Sequence, residues 1–141
     1  MKNLFVISQF LCIGILTYLG KVLAVDVYSI LQAGAIALGI WAIKSVGENN
    51  WSVYPTPNEE SNISANGAYK FVRHPMYAAL ILFFLPVAIR PDGFFSWSIY
   101  IFLVLTLIIK VIYEEKQILK KHPEYAGYKK VTRKRLVPFI W

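Results

Sequence analysis

The chain is poor in charge and in the residues from which metal centres and disulfide frameworks are built. Asp, Glu, Lys and Arg make up only 16% of its 141 residues, against 57% hydrophobic, a balance outside that of ordinary soluble domains. Its 1 cysteine, Cys12, excludes an intramolecular disulfide and a thiolate-rich metal centre. Within an apolar run, Cys12 reads as a small apolar side chain. The only histidines are His74 and His122, and no metal-ligand cluster is evident. No glycine-rich loop follows a strand-like segment, which excludes the soluble nucleotide-binding fold built on that motif. Internal repeats, low-complexity tracts and long linkers are also lacking, so residues 1–141 form a single expected domain.

What the chain does have is apolar runs at Leu4–Gly20, Val27–Val46, Met76–Ile89 and Phe94–Tyr113. Spanning a hydrocarbon core takes about 20 residues, so the expected fold is an all-α integral membrane protein with about four transmembrane helices. Thr17, Tyr18, Leu19 and Gly20 make a poor cleavage site, so the first run reads as an uncleaved span. The third run is short, covering roughly 21 Å of a core about 30 Å thick. The Arg73-His74-Pro75 segment before it should sit below the headgroups, where non-helical backbone requires cover by protein or a polar cavity.

The 15 Lys and Arg outnumber the 8 acids, giving a net charge of +7. Were all the runs to cross, one face would carry Lys2, Lys44, Lys70, Arg73, Lys116, Lys120, Lys121, Lys129, Lys130, Arg133, Lys134 and Arg135, and the other only Lys21 and Arg90. The expected topology is multi-pass with both termini cytoplasmic. The tail charges suit anionic lipid headgroups of the bilayer rather than nucleic acid. The sequence divides into a helix pair at 1–46, a cytoplasmic loop and motif at 47–74, and a C-terminal helix hairpin with a basic tail at 75–141. In the loop, Trp51 and Tyr54 read as interfacial aromatics, Pro55 and Pro57 interrupt any helix, and the sequon at Asn62 falls on the cytoplasmic face.

Chemistry concentrates in Gly67-Ala68-Tyr69-Lys70-Phe71-Val72-Arg73-His74-Pro75-Met76-Tyr77 and in Tyr113-Glu114-Glu115. Arg90-Pro91-Asp92-Gly93 reads as a tight turn that sets the last two apolar runs antiparallel, bringing Arg73 and His74 close to Lys110, Glu114 and Glu115. Pro75 suits the first helical position, leaving the amides of Met76, Tyr77 and Ala78 free to attract a carboxylate, with Arg73 adding a fixed charge of matching geometry. The plainer account is that Arg73 is a membrane anchor and His74 a cap. Lys110 and Glu114 stand in the poorer order for a helical ion pair, and acids near a helix C-terminus oppose its dipole. A cationic or polyhydroxyl ligand accounts for them better than helix stability does.

Taken together with Tyr125, Tyr128 and Pro138, these segments resemble, over the second half of the chain, the isoprenylcysteine carboxyl methyltransferase family. Ala68 and Ala79 depart from its usual residues without removing a chemical group. The resemblance implies S-adenosyl-L-methionine as cofactor, Tyr69, His74, Pro75, Tyr77, Glu114, Glu115, Tyr125 and Tyr128 as its binding residues, and Arg73, His74 and Glu115 as catalytic. Arg133 or Arg135 would assist. The implied reaction is methyl transfer to the carboxylate of a prenylated cysteine or a similar lipid-bearing acceptor. Small-thiol and phospholipid-amine acceptors stay open, as do a nicotinamide-dependent membrane reductase and a non-catalytic scaffold. A carboxylate nucleophile needs no general base, whereas a thiol or amine would turn to His74 or a glutamate. His122, in the basic tail, reads as solvated. Gly34 to Gly39 with Ala33, Ala35 and Ala37 offers a face for close packing in a homodimer.

Overall fold

A computed structural model describes residues 2–19, 22, 27–46, 67–89 and 93–136. The regular structure among them is entirely helical: α1 (Lys2–Leu19), α2 (Tyr28–Val46), a 3₁₀ turn (Gly67–Lys70), α3 (Pro75–Ile89), α4 (Phe94–Lys121) and α5 (Tyr125–Val131). The loop at 47–66 with Trp51, Tyr54, Pro55, Pro57 and Asn62, the turn residues Arg90–Asp92, and Lys21 and Pro138 lie outside the described residues.

Local chemistry sets the helix boundaries. Pro75 occupies the first position of α3, where its missing N–H costs nothing. Gly93 precedes α4 at φ +105°, a conformation that side-chain-bearing residues rarely adopt. The apolar run of α4 stops at Tyr113, but the helix continues to Lys121. The charged residues that follow are good helix formers, and the stop comes where His122 must leave helical geometry ahead of Pro123. Glu114 and Glu115 thus lie inside the helix rather than at its end, a correction to the reading from hydropathy. Lys120 and Lys121 occupy the last turn, where they complement the dipole.

The helices pack antiparallel, with α2 chiefly on α3, α1 chiefly on α4, and α3 against α4 between them. α1 and α2, adjacent in sequence, thus pack chiefly on different partners. Ser8 meets Thr106 at 3.3 Å and the Phe5 and Tyr113 rings lie 5.6 Å apart, which fixes the α1/α4 direction. Trp41 sits 5.9 Å from Phe71, and Ser45 Oγ accepts from the Ala68 amide at 3.2 Å. The start of α1, the end of α2, the start of α3 and the far part of α4 consequently gather at one end. Cys12 and Leu16 of α1, Phe84, Val87 and Ala88 of α3, and Tyr100, Leu103 and Leu107 of α4 form the apolar core.

Polarity is inverted relative to a soluble bundle. Leu4, Ile7, Phe10, Leu11, Ile30, Ile36, Ile40, Phe94, Phe95, Ile101, Phe102, Leu105 and Ile109 are exposed, while Gln9, Gln32, Ser96, Thr106 and Lys110 are buried. An apolar exterior, over an interior that holds polar contacts beside its apolar core, is the arrangement a hydrocarbon solvent selects. Among the described residues one helix, α4, is long and apolar enough to cross a membrane, and α1 and α3 are apolar but shorter. Pro86 interrupts the hydrogen-bond ladder within α3. At that level the Phe83 carbonyl accepts from Gln32 Nε2 at 3.4 Å and the Ile81 carbonyl from the Tyr100 hydroxyl at 3.0 Å. Of the small residues on α2, Ala35 and Ala42 are buried and Gly39 faces Ala79, so α3 already takes part of the face suited to close packing.

Candidate active site

The segment after the 3₁₀ turn is clasped by the chain that follows α5. The Arg73 amide donates to the Lys134 carbonyl and the His74 amide to the Arg135 carbonyl, both at 2.9 Å. The Arg73 guanidinium donates to the Thr132 carbonyl at 3.2 Å. The hydroxyl of Tyr128 donates to the Tyr69 carbonyl at 2.7 Å, and the Thr132 hydroxyl reaches the same oxygen at 3.3 Å. The backbone polar groups of this irregular segment are thus paired within the protein.

Two adjacent acids of α4 meet this segment in different ways. Glu115 gathers cations: Arg73 Nε at 2.8 Å, Lys129 Nζ at 3.4 Å, Arg135 Nε at 3.3 Å and His74 Nε2 at 3.5 Å. The Arg73 Nε contact lacks the alignment of a hydrogen bond, so Coulombic attraction holds it; Arg73 Nε, His74 Nε2 and Glu115 Oε1 are all buried without a hydrogen-bond partner. Glu114 accepts from the Tyr77 hydroxyl at 2.7 Å and lies 3.6 Å from His74 Nδ1. The His74 and Tyr77 rings stack with centroids 5.8 Å apart and 10° between planes. Pro75, between them in sequence, is fully buried.

Tyr125 and Tyr128 of α5 pack with ring centroids 5.4 Å apart. Burial pushes the Tyr128 hydroxyl up to about 12, and burial likewise raises the hydroxyls of Tyr69 and Tyr125, with nearby negative charge adding to the shift in each. All three remain neutral hydrogen-bonding groups near neutral pH.

Of the site residues singled out from the sequence, Tyr69, Arg73, His74, Pro75, Tyr77, Glu114, Glu115, Tyr125 and Tyr128 lie in this neighbourhood, and Pro138 falls outside the described residues. One detail is corrected: the Tyr77 and Ala78 amides are not free, because both donate to the His74 carbonyl at 3.2 Å. A carboxylate at this helix start would meet fewer open donors than the sequence suggests. Arg135 rather than Arg133 reaches Glu115, and Arg133 is exposed. His122 pairs at 3.0 Å with exposed Glu124, away from the cluster. Sequence reasoning missed Lys129 and Thr132 as partners of Glu115 and Arg73, and Gln9 as the partner of Lys110 at 2.8 Å. Gln9 carried a usable signal, a lone amide inside an apolar run.

The model of one protein family, described as phospholipid methyltransferase, matches residues 25–126, well over half of the chain. That stretch contains the Arg73-His74-Pro75 segment, both acids and Tyr125. No curated protein and no solved structure matches the chain.

Proposed function

Because the chain belongs to the phospholipid methyltransferase family, we propose that it is a multi-pass membrane methyltransferase, with both termini cytoplasmic, that uses S-adenosyl-L-methionine to methylate a lipid-borne acceptor. The observation that carries this reading is the buried, mutually supporting cluster that Arg73, His74 and Tyr77 at the start of α3 form with Glu114 and Glu115 inside α4. Its chemistry fits the amino-acid end of the cofactor: Arg73 and His74 are of the type that meets a carboxylate and Glu115 of the type that meets an ammonium, with Arg73 and Glu115 paired at 2.8 Å. Tyr69, Tyr77, Tyr125 and Tyr128 would supply aromatic and hydroxyl surface, Pro75 sets the start of α3, and Glu114 would accept from the cofactor's hydroxyl groups. The cofactor supplies an electrophilic methyl group when bound.

The family supports the amine of a phospholipid as the acceptor, and one feature of the site agrees with it: the Tyr77 and Ala78 amides of α3, which would receive a carboxylate, already donate to the His74 carbonyl. As the nitrogen–carbon bond forms, the methyl–sulfur bond would break to leave a neutral thioether, and His74, between the two acids, is placed to take the proton the amine must lose. Burial strips the nucleophile of water and fixes its approach. The carboxylate of a prenylated cysteine is the second reading, favoured by the fixed positive charge of Arg73.

Purified protein in lipid nanodiscs, given labelled S-adenosylmethionine, should methylate phosphatidylethanolamine faster than a prenylated cysteine. Preference for the prenylated compound moves the acceptor to the second reading. Stabilisation by NADPH, with no response to S-adenosylmethionine, refutes the transferase reading.

A further inference from the structure

Lys110 is fully buried at 0% exposure in the middle of the membrane-length helix α4. A buried ammonium is expensive, and an apolar side chain of similar volume would serve packing as well or better. Its surroundings connect it to the site. The ammonium donates to Gln9 Oε1 of α1 at 2.8 Å and lies 5.0 Å from the centroid of the Tyr77 ring. That ring stacks on His74, and its hydroxyl donates to Glu114 Oε1, one helical turn beyond Lys110. Four residues apart on α4, Lys110 and Glu114 stand on the same face of that helix. Gln9 belongs to a helix that precedes the family-matched residues, so this support comes from a part of the chain outside the shared core.

Resting on the proposed cofactor site, we infer that Lys110 is a positioning residue. Anchored through Gln9, its ammonium holds the Tyr77 ring by cation–π attraction and places counter-charge beside Glu114, so that the Tyr77–Glu114 pair is preformed for S-adenosylmethionine. The first helix thereby contributes to cofactor affinity without touching the cofactor.

The test separates this role from structural glue between α1 and α4. Full-length wild type, Lys110→Met, and the exchange Lys110→Gln with Gln9→Lys are purified in the same detergent. Each is measured for S-adenosylmethionine binding by calorimetry and for thermal unfolding. The exchange keeps an amine–amide pair between the helices but moves the charge onto α1. The expected result is that Lys110→Met and the exchange both unfold within a few degrees of wild type, and both bind at least tenfold more weakly. Binding by Lys110→Met within threefold of wild type overturns the inference. Restored binding in the exchange does so too, because only the inter-helix contact would then matter. Failure of both variants to fold also assigns Lys110 to structure and overturns it. A wild type that binds no S-adenosylmethionine refutes the proposed function itself, and is recognised by silence in the parent protein.

Discussion

Replacing Glu115 with glutamine preserves its shape and removes its charge, and the structure sets the size of the effect. The Glu115 and Arg73 side chains are 3% and 5% exposed, whereas Lys129 and Arg135 are each 29% exposed. The two outer cations can turn to water, and such pairs contribute about 0–1 kcal/mol each. Arg73 cannot, because its guanidinium and amide are tied to Thr132 and Lys134. Leaving one member of a buried pair without its partner costs about 3–5 kcal/mol. Glu115→Gln should therefore lower the thermal midpoint by about 10 °C, taking roughly 2–4 °C per kcal/mol. Removing both charges, as Arg73→Met with Glu115→Leu, should recover most of that loss, because an apolar pair needs no desolvation. Thermal unfolding in detergent, followed by circular dichroism, measures both. A loss below about 1 kcal/mol in Glu115→Gln, or a double variant as unstable as the sum of the single ones, refutes the view of Arg73 as a buried cation dependent on Glu115.

His74→Ala should weaken S-adenosylmethionine binding at least about tenfold, roughly 1.4 kcal/mol, while His122→Ala leaves it unchanged; calorimetry on the two variants decides. Gly67 sits at φ +55° with its Cα turned toward the Ser45 side chain, which is itself held by the Trp41 carbonyl at 2.6 Å. Gly67→Ala should thus destabilise by about 1–3 kcal/mol in thermal unfolding, and an unchanged midpoint would show that the turn relaxes freely. Tyr128→Phe should cost about 1 kcal/mol through its lost bond to the Tyr69 carbonyl. Because the folded-state hydroxyl is raised from 10.0 to about 12, that contribution is complete below pH about 10 and fades as pH rises toward 12. A difference from wild type that already varies between pH 6 and 9 would contradict it.

Hydropathy alone determined the all-helical class and the approximate positions of α1 to α4, because the pattern reports how much apolar surface each segment must place outside water. Spacing from the Arg90–Gly93 turn was enough to bring Arg73 and His74 to Glu114 and Glu115, since antiparallel neighbours of equal rise align by counting. The separate environments of the two acids were not legible. Glu115 faces Arg73, Lys129 and Arg135, and Glu114 faces Tyr77 and His74, because successive residues on a helix differ in direction by about 100° and only the packed neighbours fix which direction meets which partner. The continuation of α4 past Tyr113 was hidden for a related reason: the apolar run reports the solvent around a helix, whereas Pro123 decides where the helix stops. Gln9 and Lys110 are separated by 101 residues and meet at 2.8 Å. No local pattern encodes that contact; it exists because α1 lies antiparallel on α4 in one rotational setting, which the packing of Cys12 and Leu16 against Leu103 and Leu107 selects.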